Sequence, residues 1–117
     1  VTGGVGTGKS GLLQAIIGEM APSAGSIVAV GSMSYAPQGA WIRNATLREN
    51  VIFGKPFDQA LYDAVLDACC LLPDLEVMAA GDQTEIGEKG INLSGGQKAR
   101  VALARAVYAQ ADLLLLD

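Results

Sequence analysis

With 117 residues, 50% of them hydrophobic and 17% charged, the chain can bury one modest core and hardly two, so a single domain or part of one is expected. A formal net charge of -4, with no long Lys/Arg run, argues against a protein that lives on nucleic-acid phosphates. No stretch approaches the roughly 18 to 20 uncharged apolar residues that span a bilayer, so any membrane-crossing part is expected on other sequence.

The chain opens on Val1-Thr2 directly before a glycine loop and stops at Asp117 directly after an apolar run, which reads as a piece of a longer protein. Gly3-Gly4-Val5-Gly6-Thr7-Gly8-Lys9-Ser10 fits the P-loop pattern G-x-x-x-x-G-K-[ST] at every fixed position. Glycines let consecutive backbone N–H groups turn inward around phosphates, where a Cβ would collide or forbid the dihedrals required. Lys9 supplies a mobile cation for β- and γ-phosphate oxygens, and Ser10 can offer its hydroxyl to Mg²⁺. Leu12, Leu13, Ile16 and Ile17 stand in helical register, predicting a helix from Ser10 through Met20 that stops near Pro22 and aims its positive end at the phosphates. The 29 residues from Lys9 to Gln38 leave room for that helix and a short β-hairpin around Gly25 to Ser34.

A strand is expected to end at Tyr35-Ala36-Pro37-Gln38. As a lone tryptophan, Trp41 is open to two readings, a buried core residue or a surface contact. From Asp58 to Leu72, Leu61, Val65, Leu66, Ala68 and Cys69 recur at helical spacing, predicting an amphipathic helix that Pro73 ends. The adjacent Cys69 and Cys70 fall in this apolar run, where buried thiols are expected rather than a disulfide or a zinc site. Asn44-Ala45-Thr46 and Asn92-Leu93-Ser94 match glycosylation sequons and are taken as chance. Glu85 and Glu88 lie in a polar loop, Gly81 to Gly90, that reads either as a solvated acidic turn or as a contact surface.

Leu93-Ser94-Gly95-Gly96-Gln97 precedes a helix-like run, Lys98 to Val107. A serine and two glycines at a helix start present a hydroxyl and bare N–H groups to an anion, the P-loop device without its lysine. The last element, Ala111-Asp112-Leu113-Leu114-Leu115-Leu116-Asp117, has the form of a buried parallel strand carrying an acid at its tip. Asp117 would hold Mg²⁺ through water, opposite the P-loop.

Leu93 to Gln97, with the basic helix behind it, resembles the LSGGQ signature of ABC proteins. Gly39 to Gly54 resembles the PQ-x-AWI-x-NATLREN-x-x-FG run of their subfamily C, the multidrug-resistance-associated type, and Gly81 to Gly90 carries that subfamily's TE-x-GE-x-G exporter loop. The resemblance covers essentially the whole chain, and the compact Lys9 to Gln38 spacing is similar to that of the first of two nucleotide-binding domains. It implies an α/β fold, a P-loop NTPase (RecA-like) core over 1–37 and 109–117, with an inserted mostly helical ABC subdomain over 38–108, truncated at both ends. It implies ATP and Mg²⁺ as cofactors. Lys9, Gln38 and Asp117 would be the catalytic set; Gly3, Gly4, Val5, Gly6, Thr7, Gly8, Lys9, Ser10 and Gln38 would bind nucleotide; Ser10, Gln38 and Asp117 would hold the metal.

By the same resemblance, Leu93, Ser94, Gly95, Gly96 and Gln97 would grip the γ-phosphate bound to the P-loop of a second, head-to-tail nucleotide-binding domain. Trp41, Glu85 and Glu88 would face transmembrane domains of the same polypeptide, at the cytoplasmic side of a membrane, with no nucleic-acid partner. The water-positioning residue of the family immediately follows the Asp117 position, and its switch histidine lies elsewhere, since this chain contains no His. These residues alone are therefore not expected to turn over ATP. The implied function is ATP-driven export of organic anions, conjugates or drugs; the alternative is a nucleotide-sensing regulatory domain of a channel or receptor-type ABC protein.

Overall fold

The computed structural model describes the whole chain, Val1 to Asp117. Helix α1 runs from Lys9 to Ile17 and stops at Gly18, whose left-handed φ of 87° closes the last turn through Gly18 N–H to Ala15 O and Glu19 N–H to Gln14 O. It is thus shorter than the Ser10 to Met20 expectation, because the glycine ends it before Pro22 can.

The hairpin expected around Gly25 to Ser34 does not form. Only β1, Met33–Ala36, is a strand there; Val28 and Val30 are 84% and 92% exposed, with no neighbouring strand to take up their backbone groups. β1 pairs in parallel with β4, Leu113–Leu116, in the register Met33↔Leu113 to Ala36↔Leu116. The register is pinned by Asp112, whose Oδ2 accepts from Ser32 N–H and Ser32 Oγ, each at 2.8 Å, while Ser32 Oγ accepts from Asp112 N–H at 3.0 Å. The strand is parallel as expected, yet it is not buried. One face meets α5, the helix from Gly95 to Tyr108, and covers Leu115; Leu114 and Leu116 stay 39% and 52% exposed in a sheet of two strands.

The core lies within residues 47–108. A second small ladder, β2 (Ala45–Thr46) against β3 (Glu85–Ile86), leads into α2, Leu47–Ile52. Thr46 caps α2 in a closed box: its Oγ1 accepts from Glu49 N–H at 3.1 Å, and Glu49 Oε2 accepts from Thr46 N–H at 2.9 Å. Helix α3, Gln59–Ala68, is capped by Asp58, and α5 packs Val101, Ala104 and Tyr108 against α2 and α3. The small, fully buried Ala104 permits close approach to α2, and the Tyr108 hydroxyl donates to Pro56 O at 2.7 Å while accepting from Asp58 N–H at 2.9 Å.

Pro73 does not end the first of these helices. Cys70, at φ 55°, breaks the chain out of α3, and Pro73 sits in the first turn of a further short helix, α4 (Leu72–Glu76), where a missing N–H costs nothing. The same break separates the two thiols: Cys69 is buried with α3, whereas Cys70 is turned out to solvent, against the expectation that both are buried.

Candidate functional site

The loop from Gly3 to Gly8 must reverse direction tightly enough to deliver α1 with its N–H groups forward. It does so through Gly6 (φ 78°) and Gly8 (φ 91°), left-handed positions that side chains resist. Thr7 Oγ1 donates to Gly4 O at 2.8 Å and closes the turn. Folded back over it, the Lys9 ammonium donates to Gly3 O and Gly4 O at 2.8 and 2.7 Å, which places the cation at the mouth of the cradle.

Across from the loop, the parallel pairing of β1 with β4 carries Asp117 to the end of α1. Asp117 Oδ1 accepts from Ser10 Oγ at 2.9 Å, and its Oδ2 accepts from Tyr35 OH at 3.2 Å. Desolvation first, and then the facing Asp117 charge, push the Tyr35 phenol above its ordinary value, so it stays a donor. A cavity of about 510 Å³ is lined by Val5 to Gly11, Gln38 and Asp117. The structure therefore brings together Lys9, Ser10, Gln38 and Asp117, which sequence reasoning had singled out separately.

The donor set is a hydroxyl, an amide and a carboxylate. Hard oxygen ligands of this kind suit Mg²⁺, which keeps waters and substrate oxygens in its shell rather than demanding an all-protein cage.

Leu93 to Gln97 lie outside this cavity. Leu93 is buried, and Ser94 is the N-cap of α5, its Oγ accepting from Gln97 N–H at 3.2 Å while Gln97 Oε1 accepts from Ser94 N–H at 2.9 Å. Beyond the adjoining residues and the helix's own backbone, nothing lies within 4 Å of where a Gly95 Cβ would be, and a Gly96 Cβ would meet Arg100 Nη1 at 3.4 Å. Internal crowding does not require these glycines; they leave the helix tip bare to whatever approaches it. None of the five residues from Leu93 to Gln97 lines the cavity shared by Lys9, Ser10, Gln38 and Asp117.

Trp41 is 55% exposed, which settles against an ordinary core position. It meets Phe53 edge to face at 5.8 Å, and the Arg105 guanidinium lies 5.2 Å from its ring. A cavity of about 560 Å³ runs between Ala40 to Ile42 and Gly87 to Glu88, whose two loops are joined by Glu88 N–H donating to Asn44 Oδ1 at 2.7 Å. Glu88 lines it, and both Glu85 and Glu88 are exposed.

Sequence reasoning missed Tyr35, Asp74, Arg100 and Arg105. Tyr35 and Arg105 act through partners far away in the chain, which no local pattern announces. Arg100 carried a faint signal, three residues after Gln97 on the same helical face.

Residues 1–117 match a family model described as ABC transporter. The chain is 62% identical over 117 residues to the multidrug resistance protein mrp-7 of Caenorhabditis elegans and 59% identical to the ATP-binding cassette sub-family C member 3 of Homo sapiens. It is 54% identical to the vacuolar heme ABC transmembrane exporter abc3 of Schizosaccharomyces pombe. Each alignment covers 100% of this chain and 8% of the relative's length.

Proposed function

The chain belongs to the ABC transporter family, and from that premise we propose that it is the ATP-binding part of a subfamily C exporter. The observation that carries this reading is the 2.9 Å contact between Ser10 and Asp117, which joins the two ends of the chain at a glycine cradle shared with Lys9 and Gln38.

In this reading the Gly3 to Gly8 amides and the start of α1 bind the triphosphate, and Lys9 leaves its carbonyl partners to neutralise β- and γ-oxygens. Ser10, Asp117 and Gln38 are the side chains that would hold Mg²⁺, which when bound supplies positive charge against the developing negative charge of phosphoryl transfer. The tip at Ser94, Gly95 and Gly96 grips nucleotide on a second, head-to-tail domain, so two half-sites close on two ATP molecules. Residues 1–37 and 109–117 form the nucleotide core, while 38–108 face transmembrane domains of the same polypeptide through the Trp41 surface. Closure and reopening drive transport of organic anions, conjugates or drugs from the cytoplasmic face.

ATP-dependent uptake of a glutathione conjugate into inside-out vesicles carrying the full-length protein tests this. Uptake should depend on Mg²⁺ and be lost in Lys9→Ala. Nucleotide-dependent gating with no uptake would replace the exporter by a regulatory domain, and Lys9→Ala that binds nucleotide normally would overturn the assignment of the cradle.

A further inference from the structure

Behind the Ser94 tip stands a carboxylate that the proposed chemistry does not use. Asp74, in α4, is 9% exposed and is one of two buried polar residues in the chain, Asn50 being the other. Its Oδ2 accepts from Arg100 Nε at 2.8 Å; its Oδ1 accepts from Arg100 Nη2 at 2.8 Å and from Gln97 Nε2 at 3.2 Å. The other end of the same Gln97 amide, Oε1, accepts from Ser94 N–H.

A continuous chain of hydrogen bonds thus runs from Arg100 through Asp74 and Gln97 to the first residue of the helix cap. The residue type at 97 fits this chain and not the cap alone. A glutamate would close the capping box as well as a glutamine does. It would also set a second carboxylate against Asp74, whereas an amide can accept from Ser94 with one atom and donate to Asp74 with the other. Gln97 accordingly faces back into the protein, and what it contributes to the tip it contributes through Ser94.

We propose that Asp74 is a positioning residue for the tip: it holds the Gln97 amide in the one orientation that caps Ser94, and so sets how the Ser94 hydroxyl and the bare N–H groups of Gly95 and Gly96 meet a triphosphate on the partner domain. This rests on the reading that the tip grips nucleotide bound elsewhere. An unanchored Gln97 can rotate to solvent, which releases Ser94 N–H and loosens the tip without touching the glycine cradle.

The test uses the full-length protein, vanadate trapping of photoreactive azido-ATP, and proteolytic mapping of label to each nucleotide-binding domain. Asp74→Ala and the milder Asp74→Asn should raise the MgATP needed for half-maximal trapping at the opposite site roughly tenfold, the loss of one hydrogen bond to a charged acceptor. Vanadate-independent labelling at this chain's own P-loop should not change. Gln97→Glu should show the same defect, and combining it with Asp74→Asn, which restores a donor opposite an acceptor, should recover most of the trapping.

Normal trapping in both Asp74 variants, additive losses in the combined variant, or equal loss of labelling at the two sites would each overturn the assignment. Ser94→Arg separates this from the parent reading. If it leaves opposite-site trapping intact, the grip itself is wrong; if it abolishes trapping while the Asp74 variants behave normally, only the role of Asp74 falls.

Discussion

Arg105 offers the sharpest test of how the segment after Gln38 is tied to the helix behind Ser94. Its guanidinium has no carboxylate partner. Nε donates to Asn50 O at 2.8 Å, Nη2 to Asn50 Oδ1 at 2.9 Å and Nη1 to Trp41 O at 3.0 Å, and the group sits 4.7 Å from the Phe53 ring centroid. Burial disfavours the charge and lowers the pKa. Hydrogen bonds from a charged donor contribute ~1.5 to 3 kcal/mol each, less the desolvation of the guanidinium, so Arg105→Met should cost about 3 kcal/mol. Arg105→Lys keeps the charge but loses the planar fork, and should still cost about 2 kcal/mol. Urea unfolding of the domain that carries these residues, compared at equal m-value, reads both numbers as midpoint shifts. An Arg105→Lys variant within ~0.5 kcal/mol of the parent would show that the fork is not what holds Trp41 and Asn50, and the reasoning would fail.

Ser10→Ala removes a hydroxyl that already meets Asp117, and should raise the Mg²⁺ needed for nucleotide binding about tenfold while leaving metal-free binding unchanged, as titration calorimetry would show. Gly31 has φ 106°, and a Cβ there would stand 2.8 Å from Asp112 Oδ2, so Gly31→Ala should break the Ser32–Asp112 clamp and cost about 2 kcal/mol in urea; a neutral result would mean the clamp does not hold the register. Hydrogen bonds from Arg100 hold the Asp74 carboxyl below its ordinary value of 3.8. The native state therefore takes up that proton later than the unfolded chain does, so the contribution is complete above pH 3.8 and is lost as pH falls through the folded value. Asp74→Asn should flatten acid unfolding in that range, but only in part, because Glu49 and Asp112 are also held low, chiefly by the backbone N–H groups of Thr46 and Ser32.

What was legible in these residues was chemistry contained in short, contiguous stretches. The cradle from Gly3 to Ser10, the helix tip from Ser94 and the acid at Asp117 each need only neighbours in sequence, because glycine dihedrals, helix caps and strand ends are local physics. Element boundaries failed where one backbone residue overrode the hydrophobic pattern, as Gly18 did for α1 and Cys70 for α3. The hairpin and the burial of β4 failed for a different reason, since a strand's pairing and covering depend on neighbours that periodicity does not name. Which charges meet was likewise a matter of the fold: Asp74 finds Arg100 across 26 residues, Arg105 finds Asn50 across 55, and Ser10 finds Asp117 across 107. The sequence by itself determined what the groups can do. Only the tertiary structure decided which of them share a site, because contacts between distant residues follow from packing and parallel strand register and leave no mark on the local order of amino acids.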